Sequence, residues 1–385
     1  MTIEEFSNFS LGQYCDNALC ICYQIVGGSN LKVKSKKTGQ LYCNACKNRF
    51  SVRKGTMFFG LRTPLEKIIK CLSLLVSGMG SNAVSREMGV TGDSLRCWLV
   101  LASTQVDNFT LYMQRNMNLS QVQIDEFWSY IRKKKENISC ADLEKALTDA
   151  DFAENMGDKW TYLAVLPKSG FIQAEHTAPR NQEEATVFIE KAQNRSDGKA
   201  PFFMSDCWFY MSVLSEVYSV LEPVPYKGIG RRPHPKRVVD PDLRYAQVHK
   251  KRDEKGKIEQ ISTRIVLGDE RRILQELEDA ERSKTINTDY VESRNGKYRK
   301  DDARLIRKTL CHSKKAKFHK ASITFLTQVY NYTRTIDALK LEINPNAALF
   351  EQKYIHRTPA MVEGLIDKQL TIKELLCIRP LKAAA

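Results

Sequence analysis

Nowhere in the 385 residues does an apolar run approach the ~18 residues that span a bilayer, which excludes a transmembrane helix and any expectation of a membrane partner. The opening MTIEEFSNFSLGQYC is acidic and has no apolar signal core, so secretion is not expected and the cytoplasm is. Internal repeats and low-complexity tracts are absent. Histidine is scarce, six in all, and His176, His234, His249, His312 and His319 are not spaced as a metal-binding set. In a chain expected to be cytosolic, eleven cysteines do not read as a disulfide framework; metal ligation and buried thiols are the better readings.

What is abundant is positive charge, and it is localised. The net charge is +15. Residues 32–70 hold eleven Lys/Arg against one acid, 227–257 eleven against four, and 294–320 eleven against two. These windows carry more than the whole net charge, so the rest of the chain is mildly acidic. Basic patches on an acidic body are the electrostatic footprint of a nucleic-acid binder. At this length the chain can form two or three domains.

Residues 1–60 read as a small metal-bound module. Cys15-x4-Cys20 and Cys43-x2-Cys46 are two short pairs 22 residues apart, a spacing that can supply four thiolates to one tetrahedral zinc ion. The basic loop between them has turn residues but no core of its own, and zinc would provide the missing stabilisation. Cys22 is an alternative to Cys20. Cys71, Cys97, Cys140, Cys207, Cys311 and Cys377 stand singly and read as packing residues.

Residues 61–115 read as a helix-turn-helix domain. Thr63-Pro64-Leu65-Glu66 has the form of a helix start with Thr63 as cap and Glu66 completing a capping box. Leu65, Ile68, Ile69, Leu72, Leu75 and Val76 make its apolar stripe. In SNAVSREMGVTGDSLRCWL, a turn at Gly89 would let Val84 and Met88 face Val90, Leu95 and Trp98. Thr91, Asp93, Ser94, Arg96 and Cys97 then lie on or near the exposed side of the second helix, with Thr91, Ser94 and Arg96 as DNA-contact candidates. A plain helical hairpin has the same pattern.

From about residue 120 the pattern becomes α/β. Gln121–Ile131 is strand-like, and residues 160–176 read as a hairpin turning near Pro167–Gly170. Glu183–Gln193 reads as a helix burying Val187, Phe188 and Ile189. PFFM is a short buried strand ending at Asp206, and Phe209–Val220 is helical. Residues 223–270, opening with the Pro/Gly/Arg-rich PVPYKGIGRRPHPKR and ending in a hairpin turning at Glu254–Gly256, read as an insertion. The last helices run from Asp301 to about Leu339, and residues 341–385 form a tail with a short helix near 371–376. Over 116–340 the order resembles a ribonuclease H-like α/β fold, in which Asp125 on the first strand and Asp206 at the end of the fourth lie on neighbouring strands.

Three acids stand out against this background: Asp125 in VQIDEFWSYI, Asp206 in FFMSDCWFYM, and Glu292 at the start of the basic segment INTDYVESRNGKYRK. Three carboxylates gathered by folding are what two-metal phosphodiester chemistry requires. Glu126 rivals Asp125, but adjacent strand residues face opposite sides, so only one can point into a site. Asp301 and Asp302 rival Glu292, though Lys300 and Arg304 beside them suit surface ion pairs. Trp128 and Trp208 fit either core packing or a wedge into DNA.

The motifs together resemble those of insertion-sequence-one type transposases with an Asp-Asp-Glu catalytic core, from bacteria and archaea. The resemblance runs through Cys15-x-Asn17-x2-Cys20, Tyr42-Cys43-x2-Cys46, Lys54-Gly55-Thr56, Gly60-Leu61-Arg62 and the helix-turn-helix. It continues through DEFW at 125–128, GRRPHPKRVVDPDLRYAQVHKKR at 230–252, INTDYVE at 286–292, Arg307-Lys308-Thr309, Ser313-Lys314, Asn331, TPAMVEGL at 358–365 and ELL at 374–376. It covers nearly the whole chain. By it, Asp125, Asp206 and Glu292 are the catalytic acids, and Arg299, Arg307, Lys308 and Lys314 line the DNA path. The chain departs in reading Glu292-Ser293-Arg294-Asn295 where Glu-Arg-Asn-Asn is usual, and in placing His312 where an aromatic precedes Ser-Lys.

The resemblance implies double-stranded DNA as partner, both the terminal inverted repeats and the target. It also implies a homodimer or higher oligomer on DNA, in the nucleoid of a prokaryotic cytoplasm. Two divalent ions, Mg²⁺ or Mn²⁺, would be held by Asp125, Asp206 and Glu292, in addition to one structural zinc. A domesticated, non-catalytic DNA-binding regulator is the alternative; it would be expected to have lost the carboxylates.

Overall fold

A computed structural model describes residues 13–379 apart from 28, 227, 229, 230, 232, 233 and 346–351. The N-terminus and part of the 223–235 segment thus lie outside the described residues. No helix among them is long and apolar enough to cross a membrane. The chain divides into two compact units. One comprises residues 1–113, 139–156 and 298–385; the other comprises 114–138 and 157–297.

The first unit opens with three short antiparallel strands, β1 (Leu31–Ser35), β2 (Gln40–Cys43) and β3 (Arg49–Ser51), in sequential order. The basic loop between the cysteine pairs is therefore largely a hairpin, with Leu31 opposite Cys43. Helix α1 (Leu65–Leu75) follows and buries the whole expected stripe, Leu65 through Val76. Its cap differs from expectation. Pro64 is the N-cap residue and no side chain bonds the first turn; Glu66 instead pairs with Lys373 at 2.8 Å.

Helix α2 (Ser81–Met88) ends at Gly89, whose φ of 56° lies in the left-handed region that non-glycine residues rarely enter. Helix α3 (Gly92–Met113) then begins, with Leu95 and Trp98 buried beside the fully buried Val84; Met88 and Val90 are half-buried. At 22 residues α3 extends well past the turn motif.

The second unit is built on a six-stranded mixed sheet. Its central strand β4 (Gln121–Ile131) is buried along nearly its whole length. The β4–β5 connection carries two short helices, α4 (Cys140–Thr148) and α5 (Ala150–Glu154), which belong to the first unit. Strands β5 (Gly157–Leu166) and β6 (Phe171–Ala178) extend the sheet antiparallel on one side. Helix α6 (Gln182–Gln193) buries Ala185, Phe188, Ile189 and Ala192, whereas Val187 is exposed. Its apolar contacts follow the 3–4 residue period, which leaves Val187 off the buried stripe.

Strand β7 (Phe202–Ser205) pairs parallel with β4, in register from Gln121↔Phe202 to Ile124↔Ser205. Helix α7 (Tyr210–Val217) and a short pair, β8 (Ser219–Glu222) with β9 (Lys236–Val239), lead to β10 (Arg244–Arg252) and β11 (Ile258–Leu267). Here the expected insertion is corrected. β10 pairs parallel with β7 from Arg244↔Phe202 to Gln247↔Ser205, so the hairpin is part of the sheet, whose order is β11-β10-β7-β4-β5-β6. The RYAQV half of β10 is buried like any central strand, and of the following HKKR only His249, Lys251 and Arg252 are exposed, Lys250 being largely buried. That charged tip is what made the segment look detached. β11 is an exposed edge carrying Glu259, Gln260 and Arg264, side chains that discourage further strand addition. Helix α8 (Glu270–Asp279) covers the sheet through Ile273 and Leu277, packed on Phe202, Met204 and Ala246.

The boundary between units falls within α9 (Asp289–Asp301). Helices are expected from Asp301 to about Leu339; residues 302–315 are turns instead, and the helix α10 (Ala316–Thr333) packs against α3, with Phe109 edge-on to Tyr332. The strands β12 (Leu341–Glu342) and β13 (Tyr354–Ile355) and the helices α11 (Pro359–Val362) and α12 (Ile372–Cys377) follow. A Thr371/Glu374 capping box starts α12. Arg379 beyond it is buried against the cysteine module: it donates to the Tyr14 carbonyl at 3.0 Å and lies over the Tyr14 ring. Gly55 makes room for it; a Cβ there would meet Arg379 Nε at 2.6 Å.

Candidate active site and metal centre

The four cysteines expected to bind zinc come together. The sulfurs of Cys15, Cys20, Cys43 and Cys46 all lie within 4.8 Å of one another, the only such metal-competent group among the described residues. Cys15 and Cys46 are 3.5 Å apart and Cys20 and Cys43 3.8 Å. Four thiolates bonded to zinc at about 2.3 Å have sulfur–sulfur edges of roughly 3.8 Å, so the group can hold a zinc ion. Cys20 is in the group rather than Cys22, whose amide donates to Cys20 Sγ at 3.3 Å. Burial raises the Cys43 thiol pKa, but the Cys46 amide, the Asn30 side chain and the Ala45 amide outweigh it and bring it down to about 6. Of the remaining cysteines, Cys71, Cys207 and Cys377 are buried as expected of packing residues, Cys140 and Cys311 are exposed instead, and Cys97 is exposed as its place on the second helix implied.

In the sheet unit, β4 carries Asp125 one residue beyond its last pairing with β7, and Asp206 follows the end of β7 directly. Parallel pairing therefore sets these two acids side by side. Glu292 arrives on α9, which is tied to β4 by Gln123. The buried Gln123 carboxamide accepts from the Tyr290 and Val291 amides at 3.0 and 3.1 Å and donates to Asn287 at 2.8 Å. One turn further, Asn295 donates to Asp125 Oδ2 at 2.6 Å. Between Asp206 and Glu292 stands Lys250 from β10. Its ammonium bonds Glu292, reaches Thr288 Oγ1 at 2.9 Å, and lies 3.8 Å from Asp206. Thr288 in turn donates to Glu292 at 2.7 Å.

The environments of these acids differ. Burial, then the charges of Asp206, Glu126 and Glu292, raise the Asp125 pKa to about 8. Burial also pushes Glu292 upward, but Lys250 and Thr288 outweigh it and leave it below its ordinary value. Glu126 points to the opposite face, where its fully buried carboxylate bonds Tyr210 at 2.5 Å and Arg180 at 3.0 Å. It is bonded on the far side of the sheet and acts on the cluster only through its charge on Asp125. Asp301 pairs with Arg334. Asp302 is buried, bonded to Ser322 at 2.5 Å and paired with Arg304, rather than forming the surface pair expected of it.

The helical unit has its own basic cleft. About 810 Å³ in volume, it is lined by Arg86, Asp93, Arg96, Arg304, Lys314, Lys315 and Phe318, among others. Arg96 pairs with Asp93 at 2.5 Å and lies over the Phe318 ring. Thr91, Arg307, Lys308 and Lys314 are exposed, Ser94, Arg96 and Arg299 half-buried, all within this unit. Comparison with protein-family models and with curated proteins finds no match to the chain.

Sequence reasoning did not single out Gln123, Lys250 or Asn295. Gln123 was signalled by being a polar residue within the buried run VQI, on the same strand face as Asp125. Lys250 had no local signal, because it becomes part of the cluster only once β10 is recognised as a sheet strand.

Purified protein should contain one zinc per chain; Cys43→Ser should lose it and Cys22→Ser should keep it, as measured by elemental analysis and thiol titration. Zinc retained in Cys43→Ser would exclude the four-thiolate site. Because the Asp125 pKa is higher folded than unfolded, its ionisation costs stability increasingly as pH rises from about 4 to 8. Asp125→Asn should therefore match the parent protein in denaturant melts at the acid end and exceed it by ~1–3 kcal/mol above pH 8, the range discounted for partial solvent access.

Proposed function

We propose that this protein is a DNA transposase that nicks the ends of an insertion sequence and joins them to target DNA, using Asp125, Asp206 and Glu292. The observation that carries this reading is the cluster itself: three acids from β4, β7 and α9, two of them sharing the ammonium of Lys250. The sheet supports a ribonuclease H-like catalytic unit. β4 is the first strand of that unit and β7 the fourth, and they are parallel neighbours with an acid at the end of each. A four-cysteine group that could hold zinc, and a basic cleft lined by residues of α2, α3 and 304–318, are compatible with the accessory parts of this reading.

The donor chemistry suits a hard divalent cation: carboxylate oxygens, one of them destabilised by burial and by its neighbours' negative charge. The three acids do not lie as close to one another as the four sulfurs, and Lys250 contacts both Asp206 and Glu292. Asp125, Asp206 and Glu292 would hold Mg²⁺ or Mn²⁺, which when bound supplies Lewis-acid activation of water or a 3′-hydroxyl and stabilisation of the leaving oxygen. The chain's own groups do the rest. Asn295 orients the Asp125 carboxylate, and Thr288 and Gln123 fix the height of Glu292 along the sheet. Lys250 and the basic segment offset phosphate charge. Terminal-repeat and target duplexes are the proposed partners, bound by a dimer or larger assembly in a prokaryotic nucleoid.

Incubation with Mg²⁺ and duplexes carrying the element's ends tests the reading. Asp125→Asn, Asp206→Asn and Glu292→Gln should each lower nicking and strand transfer by on the order of 10²–10³-fold or more, with end binding nearly intact. Glu292→Gln protein that nicks within a few-fold of the parent rate would remove Glu292 from the catalytic set.

The two DNA surfaces should separate in competition binding. Arg96→Ala should reduce preference for the ends over scrambled duplex, by roughly 1–3 kcal/mol if Arg96 reads a guanine. Replacing Arg307 or Lys308 by Ala should weaken all DNA alike and flatten the log–log salt slope by about 0.9 for each phosphate no longer neutralised. Unchanged discrimination in Arg96→Ala would place specificity elsewhere.

A further inference from the structure

Trp208 does not pack in the core, one of the two roles its sequence context allows. It is 78% exposed, two residues beyond Asp206. Exposing an indole of this size in water is unfavourable unless something covers it. The backbone that presents it is held firmly. The Cys207 carbonyl accepts from Tyr245 Oη at 2.9 Å, and Tyr245 itself bonds Ser205 at 2.7 Å. Phe209 stands edge-on to the indole at 6.1 Å, and Tyr210 behind it is anchored on buried Glu126. The outward direction of Trp208 is therefore set by the sheet.

The indole forms one wall of a cleft of about 440 Å³, whose other walls are Asp206, Phe209, Arg180, Asn181 and Gln182. Arg180 is held in place by Glu126 and stacks over the Trp160 ring at 4.8 Å, so it presents a fixed cationic edge. A flat aromatic surface, a guanidinium, the Gln182 carboxamide and the amino group of Asn181, whose oxygen caps α6, are the chemistry that recognises a nucleobase: stacking on its face, hydrogen bonds to its edge. Free phosphate uses this combination poorly for want of any apolar face, and among protein side chains only the aromatic ones with a polar edge share a nucleobase's form.

We infer that this cleft receives an unpaired nucleobase from the DNA strand at Asp206, with Trp208 as its stacking platform and Arg180, Asn181 and Gln182 at its edge. The inference rests on the transposase reading for the identity of the polymer. It makes Trp208 a determinant of which nucleotide flanks the reacting phosphate, because a base must leave its duplex stack to enter. Mismatched or unpaired flanks pay less to do so and should be favoured.

Two measurements on the full chain test it. Short single-stranded oligonucleotides should quench tryptophan fluorescence in the parent protein, since Trp98 is buried and Trp208 is the most exposed indole. That quench should disappear in Trp208→Phe, and Trp208→Ala should bind the oligonucleotide about 10-fold or more weakly. With end duplexes and Mg²⁺, Trp208→Ala should slow nicking of fully paired ends more than of ends with a mismatch beside the nick, while Trp208→Phe recovers most of the loss. Quenching retained in Trp208→Phe, or an equal loss on paired and mismatched ends, overturns the inference. So does a change of oligomeric state in Trp208→Ala with oligonucleotide affinity unaltered, since a second copy of the chain would then be what covers the indole. A parent protein that quenches with oligonucleotide yet nicks no DNA would instead remove the transposase reading and leave the base site standing.

Discussion

The candidate site depends on one buried carboxamide. The first amides of a helix have no partners within the helix, and burying them unpaired is costly. In α9 two of them, from Tyr290 and Val291, are satisfied by Gln123, more than 160 residues earlier in the chain. A single side chain with two lone pairs and two N–H bonds thus fixes where α9 starts on β4. The 3.6-residue period does the rest: Glu292 falls beside Thr288 and Lys250, and Asn295 one turn on reaches Asp125. Shifting the helix by one residue would break all of these bonds together.

That docking also sorts the charges. Two carboxylates in one neighbourhood are pushed in opposite directions, Asp125 toward the protonated form by burial and negative neighbours, Glu292 toward the ionised form by an ammonium and a hydroxyl. Lys250 reaches both Asp206 and Glu292, and so offsets repulsion that would otherwise oppose bringing three acids together. Glu126, one residue from Asp125, shows the alternative outcome. On the other face it meets a tyrosine and an arginine and becomes a structural anchor. Strand alternation alone makes the difference.

Much of this was legible in the residues. The cysteine spacing named the four sulfurs that converge, the period of α1 named its buried stripe, and Gly89 marked the turn. The alternation of β4 separated Asp125 from Glu126. What was not legible depended on partners distant in sequence. The charged tip HKKR disguised β10 as an inserted hairpin although its first half is sheet core. Val187 and Trp208, apolar by type, are exposed because helix phase and a clamped turn direct them outward, and neither constraint is visible in composition. Asp302 reads as a surface acid beside cations, but Ser322, a residue of α10, gives it a buried partner.

The burial of Arg379 against Tyr14 and Gly55 has a temporal consequence. Arg379 and Tyr14 are 365 residues apart, so the module that leaves the ribosome early is sealed by a residue made much later. At synthesis rates of roughly 5–20 residues per second, the nascent cysteine module spends on the order of tens of seconds with its aromatic face open. Within the module its first cysteine segment is held by polar contacts, Asn48 and Lys54 to Asp16 and Gln13 to the Val52 carbonyl. Metal capture during that interval would convert a transient local fold into a lasting one, and the order of events, metal before closure, would be written into the direction of translation.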